Sequence, residues 1–374
     1  MRKILIAIHY MEIGGAEMSL LGLLESLDFS EVQVDLFVYN HKGDLMRHIP
    51  PQVNVLPEIP EYKQIERPVK DVLKDGFFRI ALARLKGKRQ FASYLRRTHP
   101  KDGTAIYSFI SRNLVPILPD ICPQKEYDMA ISYLMPHDYV LRKVKAKEKV
   151  AWIHTDYSQV DVDAVLELPV WSGYDKIASI SADVTRSFIE VFPSLAEKII
   201  EKPNVVPVHY VKSCSALMAP LEVEKEMPRA PGRINLLSVG RFCYAKNYEN
   251  VPDICHRLRL LGLDVYWYLI GFGETDSLVR KSISEAGMGD YVRILGKKEN
   301  PYPYMEACDY YVQPSRYEGS PMTVLEAKAL GKRVIVSAFP TAGSIGDVEI
   351  VPVDNEGCAA GIAAVIKRNI SSYE

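Results

Sequence analysis

Ten short apolar runs separated by helical stretches constrain this chain more than any other feature. They cover residues 3–8, 32–39, 129–132, 149–153, 176–181, 235–239, 265–270, 292–295, 310–312 and 333–337. Many are apolar on consecutive rather than alternate positions, which is the pattern of strands covered on both faces. Strand–helix alternation of this kind predicts an α/β fold with parallel, doubly wound sheets. At 374 residues the chain is long enough for two such units.

The best linker is PLEVEKEMPRAPGR (220–233), with three prolines, mixed charge and no apolar periodicity. The expected organisation is a first domain at 1–215, a linker at 216–233 and a second domain at 234–374. After the linker INLLSVGR begins afresh, much as KILIAIHYMEIGG begins the chain. Two sheets, each with a loop after its first strand, predict a ligand cleft between them.

Hydrophobic residues at 48% and charged residues at 25% exclude a disordered tail, a collagen-like chain and a disulfide mini-scaffold. The 46 basic and 47 acidic side chains leave a net charge of −1, which argues against a globally basic nucleic-acid binder. Six cysteines without a C-x-x-C pair give little support to zinc or a redox dithiol and suit a reducing, cytoplasmic setting. The N-terminal MRKILIAIHYME is interrupted by Glu12 and reads as a first buried strand rather than a leader. No apolar run reaches the ~18 residues of a spanning helix, so a soluble protein, or one peripheral at the inner face of a membrane, is expected.

Residues 63–101 depart from this neutrality. They hold 12 Lys/Arg and 3 acids, a net charge of +9, interleaved with Phe77, Phe78, Ile80, Leu82, Leu85, Phe91, Tyr94 and Leu95. Such a segment suits an anionic membrane surface or a phosphorylated acceptor. It equally suits a solvated helix pair whose apolar stripe enters the core.

EGSPMTVLEAKALG (318–331) carries the most chemistry. Ser320 is the expected N-cap, Pro321 fits the first helical position, and Gly331 is the expected stop. The helix follows the strand and loop YYVQPSRY, so its free N–H groups, at Ser320, Met322 and Thr323, should emerge at a sheet's C-terminal edge and favour phosphate. Glu318 precedes the helix and Glu326 lies within it. Carboxylates repel phosphate but accept hydrogen bonds from hydroxyls, so one anion site with two acids suits a sugar joined to a nucleoside diphosphate. Surface acids near a helix N-terminus give the same pattern.

GRFCYAKN (240–247) directly follows a strand. Arg241 and Lys246 could converge there on one anion, or be two bases of a solvated loop. The glycines of YLIGFGE (268–274) permit close backbone approach, although a lone G-x-G is weak evidence. In the first half, Gly14 and Gly15 open a helix after the first strand without forming G-x-G-x-x-G, which disfavours a dinucleotide site. His154 ends another strand on the expected cleft edge. Asp161-Val162-Asp163 is a D-x-D better read as a helix start than as a metal site.

Taken in order, GGAE, WIH, VGR-x4-KN, IGFGE and NPYPYMEACDYYVQPSRYEGSPMTVLEAKALGKRVIVS resemble the retaining glycosyltransferases of GT-B fold, with Glu318 and Glu326 as the Glu-x7-Glu signature. The resemblance covers roughly residues 3–20 and 150–360. It implies two Rossmann-like domains facing each other across a cleft, the first (1–215) on the acceptor side and the second (234–374) binding the nucleotide sugar. It also implies transfer of a hexose-type unit from a nucleoside diphosphate sugar, UDP-sugar by default, to a saccharide or lipid-linked acceptor.

By position it implies that Arg241 and Lys246, with Ser320, Pro321, Met322, Thr323 and Gly15, hold the donor diphosphate. Glu326 would hold the ribose, and Glu318 and His154 would attend the donor sugar. Val292, Arg293 and Leu295 would face the base through their backbone. With these cations no metal or other cofactor is expected. A non-catalytic nucleotide-sugar-binding subunit and a nucleotide-sugar epimerase are the alternatives. The tail after Arg333 is short for the last helix that in this fold crosses back to the first domain.

Overall fold

Every one of the ten runs forms a strand, and every strand pairing is parallel. The computed structural model describes residues 1–100, 103–218 and 220–371. It divides into two units, Met1–Val205 and a second from Val206 onward. The first contains β1 (Arg2–Ile8), β2 (Val32–Val38), β3 (Asn54–Val55), β4 (Tyr127–Ser132), β5 (Ala146–Ile153), β6 (Lys176–Ser179) and β7 (Ile199–Glu201), in the order β3-β2-β1-β4-β5-β6-β7. The second contains β8 (Ile234–Val239), β9 (Val265–Ile270), β10 (Val292–Gly296), β11 (Tyr310–Gln313), β12 (Arg333–Ser337) and β13 (Glu349–Val351), in the order β10-β9-β8-β11-β12-β13.

The order is the same in both units apart from the seventh strand. In each, it reverses beside the first strand, between β1 and β4 and between β8 and β11. At such a reversal an α/β sheet places its crevice at the C-terminal ends of the two strands. The consecutive apolar runs are explained directly: Leu5, Ile6, Ala7 and Ile8 of β1 are fully buried, as are Leu236 and Leu237 of β8.

A further likeness concerns close backbone approach. Gly43, at φ +108°, would place a Cβ 2.2 Å from the Met11 carbonyl oxygen, so the loop after β2 rests on the loop after β1. Gly271, at φ +142°, would place one 1.9 Å from the Gly240 oxygen, and Gly273 one 2.2 Å from the Phe242 oxygen. The glycines of YLIGFGE thus serve the packing of two loops in the second unit.

The division between units falls ten residues before the expected boundary at 215. The expected linker, 216–233, belongs to the second unit. It includes the Pro220–Glu226 helix, whose Glu226 pairs with Lys298 at 2.7 Å and accepts from Tyr304 Oη at 2.6 Å. Charges that read as linker composition are spent on local contacts.

The basic segment forms helices at Val69–Lys74 and Phe78–Thr98. Ile80, Arg84, Gly87, Phe91 and Tyr94, spaced alternately four and three apart, make the buried stripe of the longer helix. At Gly87 an added Cβ would lie 2.8 Å from Ile110 Cα and Phe109 O, so the helix packs on the Ile106–Leu114 helix through its backbone. Arg84 points inward, donating to the main-chain oxygens of Gln64 and Arg67, and is no surface base. The opposite side leaves Phe78, Leu82 and Leu85 exposed at 61%, 65% and 47%. The apolar stripe on one side enters the core, as the helix-pair reading requires, and the other side is exposed. Lys101 of this segment lies outside the described residues.

Candidate active site

In the second unit the reversal point is built from the loops after β8 and β11, which are bonded together. The loop after β8 runs through a short turn, Tyr244–Lys246, to Asn247 at φ 62°. Asn247 is buried, donates to the Pro314 oxygen at 3.0 Å, and accepts from Asn250 Nδ2 at 2.6 Å. The Arg316 amide donates to the Ala245 oxygen at 2.7 Å, and its guanidinium pairs with Glu249 at 2.7 Å over the Tyr244 ring.

These bonds bring Lys246 and Glu318 into an ion pair of 2.6 Å, their side chains only 16% and 11% exposed. Glu318 Oε1 also accepts from Ser315 Oγ at 2.5 Å and Gln313 Nε2 at 3.2 Å. Gln313 donates in addition to Ser315 Oγ and accepts from Tyr311 Oη. The Glu318 main-chain oxygen accepts from Thr341 Oγ1 at 2.9 Å, which fixes the residue from the loop after β12. The result is a carboxylate and an ammonium held by a chain of buried side chains. Sequence reasoning missed Gln313, Ser315 and Thr341, and quoted Asn247 only as the end of VGR-x4-KN; for Gln313 and Ser315 the signal was polar residues closing an apolar strand.

The structure does not bring Arg241 into this network. Arg241 is exposed and makes no ion pair among the described residues. Lys246, expected on a surface loop, is mostly buried. The helix after Glu318 runs Met322–Ala329 with Pro321, not Ser320, as its N-cap, and no side chain caps it. Pro321 has the extended backbone of a cap residue, so the helix starts one residue later than expected. Its stop is as read: Gly331 has φ +71°, and Gly331 and Lys332 donate back to Lys328 and Ala327. Thr323 Oγ1 is buried in the first turn.

Glu326 is not a surface acid. It is 4% exposed, hydrogen-bonded to Tyr302, and burial pushes its carboxyl up to about 7. Glu318 and Glu326 thus occupy separate environments, one charged and paired, the other buried beside a phenol. A buried carboxyl without a cation weakens a fold, and such groups concentrate at functional sites. On β10, the Val292 side chain is in the core, Arg293 is exposed and Leu295 half-buried, so only backbone and the latter two side chains face outward.

In the first unit Gly15 begins the Gly15–Glu25 helix after Gly14. The Glu17 carboxyl folds back on this helix start, where a Cβ on Gly14 would lie 2.4 Å from it. Burial raises its pKa, opposed by a bond from its own amide. His154 stands just beyond β5 with its ring centroid 4.6 Å from that of Tyr133. Burial holds it neutral, with a pKa near 3, and Nε2 has no hydrogen-bond partner. Asp163 caps the Ala164–Ser172 helix, accepting from the Leu166 amide at 3.0 Å, as the helix-start reading of D-x-D requires. Among the described residues no three His, Cys, Asp or Glu side chains are grouped to hold a metal ion.

Residues 222–368, which contain this network, match the family model described as glycosyl transferases group 1. The matched stretch lies wholly within the second unit. The chain is 27% identical over 170 residues to the Campylobacter jejuni N-acetylgalactosamine-N,N'-diacetylbacillosaminyl-diphospho-undecaprenol 4-alpha-N-acetylgalactosaminyltransferase, covering 43% of this chain and 45% of that protein. It is 29% identical over 140 residues to the lipopolysaccharide core biosynthesis glycosyltransferase LpsE of Rhizobium meliloti, covering 36% and 40%. The chain thus spans less than half the length of these curated relatives.

Anabaena Alr3699/HepE, crystallised in complex with UDP and glucose, superposes with a TM-score of 0.62 at 13% identity, over 99% of this chain and 91% of that one. That likeness concerns the fold, which is GT-B: two α/β units with parallel sheets.

Proposed function

We propose that this protein is a glycosyltransferase that moves a hexose-type sugar from a nucleoside diphosphate sugar to a saccharide or lipid-linked acceptor. Configuration is retained, no metal takes part, and the product belongs to bacterial surface polysaccharide or glycolipid synthesis. The observation that carries this reading is the preformed Lys246–Glu318 pair at the reversal point of the second sheet. The Campylobacter relative is named for a diphospho-undecaprenol acceptor, and the Anabaena protein was crystallised with UDP. UDP-sugar is accordingly the default donor.

Breaking the anomeric C–O bond leaves negative charge on the departing diphosphate oxygen. Lys246 is held in place before the reaction, so it stabilises that charge with little reorganisation. Arg241, exposed on the same loop, supplies the second cation, and the amides at Met322 and Thr323 the helix end. Glu318 accepts from donor-sugar hydroxyls, Glu326 from the ribose, and His154 attends the donor sugar. The acceptor oxygen forms the new bond on the face the diphosphate leaves, and its proton passes to the departing phosphate oxygen.

The test is a thermal-shift screen with UDP, GDP and ADP, followed by transfer assays with labelled donors, with and without EDTA. One diphosphate raises the apparent stability, and transfer survives chelation. Epimerised donor, or binding without turnover, supports the corresponding alternative. Loss on EDTA restored by Mn²⁺ overturns metal independence.

The exposed Phe78, Leu82 and Leu85, flanked by Arg79, Lys86, Lys88 and Arg89, form an amphipathic surface suited to anionic lipid. We assign it to the inner face of the membrane, where a lipid-linked acceptor resides. Among the described residues no helix is long and apolar enough to cross a membrane.

A further inference from the structure

Three donors converge on one oxygen of Glu318. Lys246 Nζ lies 2.6 Å from Oε1, Ser315 Oγ 2.5 Å and Gln313 Nε2 3.2 Å. A carboxylate oxygen offers two lone pairs, so Oε1 is fully taken. Among the described residues nothing donates to Oε2, and that atom keeps an opening to solvent. The carboxylate is thus tied by one oxygen and open at the other.

The direction of each bond is set from the far end of the cluster. Gln313 closes β11 and is fully buried, as is Ser315. Tyr311 Oη accepts from the Val239 amide at 3.4 Å and donates to Gln313 Oε1 at 3.0 Å. An amide whose oxygen faces a hydroxyl turns its –NH2 the other way. One proton of that group goes to Ser315 Oγ at 2.8 Å and the other to Glu318. Ser315, having accepted, gives its only proton to Glu318. Reversing the amide would set Gln313 Oε1 against Glu318 Oε1, acceptor against acceptor. Ser337 Oγ, from β12, bonds the main-chain oxygens of Gln313 and Ser315, so the backbone of the cluster is fixed as well.

We propose that Gln313 and Ser315 are positioning residues, which turn Glu318 so that Oε2 alone meets a hydroxyl of the donor sugar. This rests on the transferase reading above, and adds which residues orient the carboxylate and which of its oxygens binds. Packing does not account for Gln313. β11 is buried throughout, and an apolar side chain would fill the place without burying an amide. Nor does Lys246 alone account for the geometry, since an ammonium is a point charge and holds either oxygen equally well.

The test separates the sugar from the nucleotide. Calorimetry on the full chain measures the Kd of the diphosphate chosen by the thermal-shift screen, and of its hexose and N-acetylhexosamine conjugates. Gln313→Met keeps the length of the side chain and removes the donor. It should hold the diphosphate Kd within about twofold of the parent's and raise that of the bound conjugate about tenfold, the loss of one well-directed charge-assisted bond. Tyr311→Phe keeps its ring in the core and bonds neither Glu318 nor Lys246. It should weaken the conjugate selectively by about threefold, because the amide is no longer held to one orientation. Should Gln313→Met fail to fold, Tyr311→Phe decides by the same ratio.

A diphosphate and a conjugate that weaken together, or that both bind the variants as they bind the parent, overturn the proposal. The cluster would then hold the ion pair, or the fold, without aiming Oε2. A parent that binds the diphosphate and no conjugate overturns it too. Failure of the transferase reading shows differently: the parent binds neither diphosphate nor conjugate, and the proposal falls with it.

Discussion

Lys246 and Glu318 are mutually dependent in a way Arg241 is not. Both sit in a largely buried pair, so truncating one strands the other's charge away from water. Lys246→Ala should lower kcat by two to three orders of magnitude and destabilise the second unit by about 3 kcal/mol. Arg241→Ala, at an exposed position, should lower turnover while shifting stability by less than about 0.5 kcal/mol. The double variant Lys246→Met/Glu318→Gln should recover most of the stability and none of the activity; urea melts beside turnover assays check all three. Glu326 gives a second prediction, in pH. Its folded-state pKa is raised from 4.5 to about 7, so over that interval the folded state binds more protons than the unfolded. Stability therefore falls as pH rises from 4.5 to 7 and levels off above. The chain has other shifted groups, so the measurement is a difference: Glu326→Gln should be less pH-dependent than the parent across that window. An equal slope in both would show that Glu326 ionises freely.

At the scale of elements, the loop after β8 is held by a glycine on its neighbour. Gly271→Ala adds a methyl where the Gly240 oxygen lies 1.9 Å away, at a φ that L-residues avoid. It should push apart the loops after β8 and β9, displace Lys246, and weaken UDP binding at least tenfold by calorimetry, although residue 271 contacts no proposed substrate. The strands show what sequence makes legible at this scale. Nine of the ten runs read in advance are interior strands, whose double burial leaves a continuous apolar signature, and the tenth, β10, is a five-residue edge strand. β3, β7 and β13, which the sequence did not reveal, are two or three residues long and lie at sheet edges, paired on one side only. So short an element has no period to read. The N-cap at Pro321 rather than Ser320 is a similar case, because the loop's bonds to its neighbours decide where the first turn starts.

The whole molecule is nearly neutral, yet residues 63–101 concentrate positive charge beside an exposed apolar face. Sedimentation with liposomes should show binding that needs anionic lipid, weakens as salt rises, and drops strongly for Phe78→Ser/Leu82→Ser. Binding indifferent to lipid charge and to those substitutions would remove the membrane from this account. The sequence alone determined that this is a doubly wound α/β protein with parallel sheets and a glutamate-bearing helix after a strand. Those properties are written in apolar runs and in glycine and proline placement, which depend on neighbours in the chain. It did not determine that Lys246 and Glu318 join in one largely buried pair, that Arg84 turns inward, that Glu326 lies beside Tyr302, or that Glu66 accepts from Tyr107. Those partners are dozens of residues apart in most cases, and a side chain's charge state and accessibility follow from what the fold brings against it.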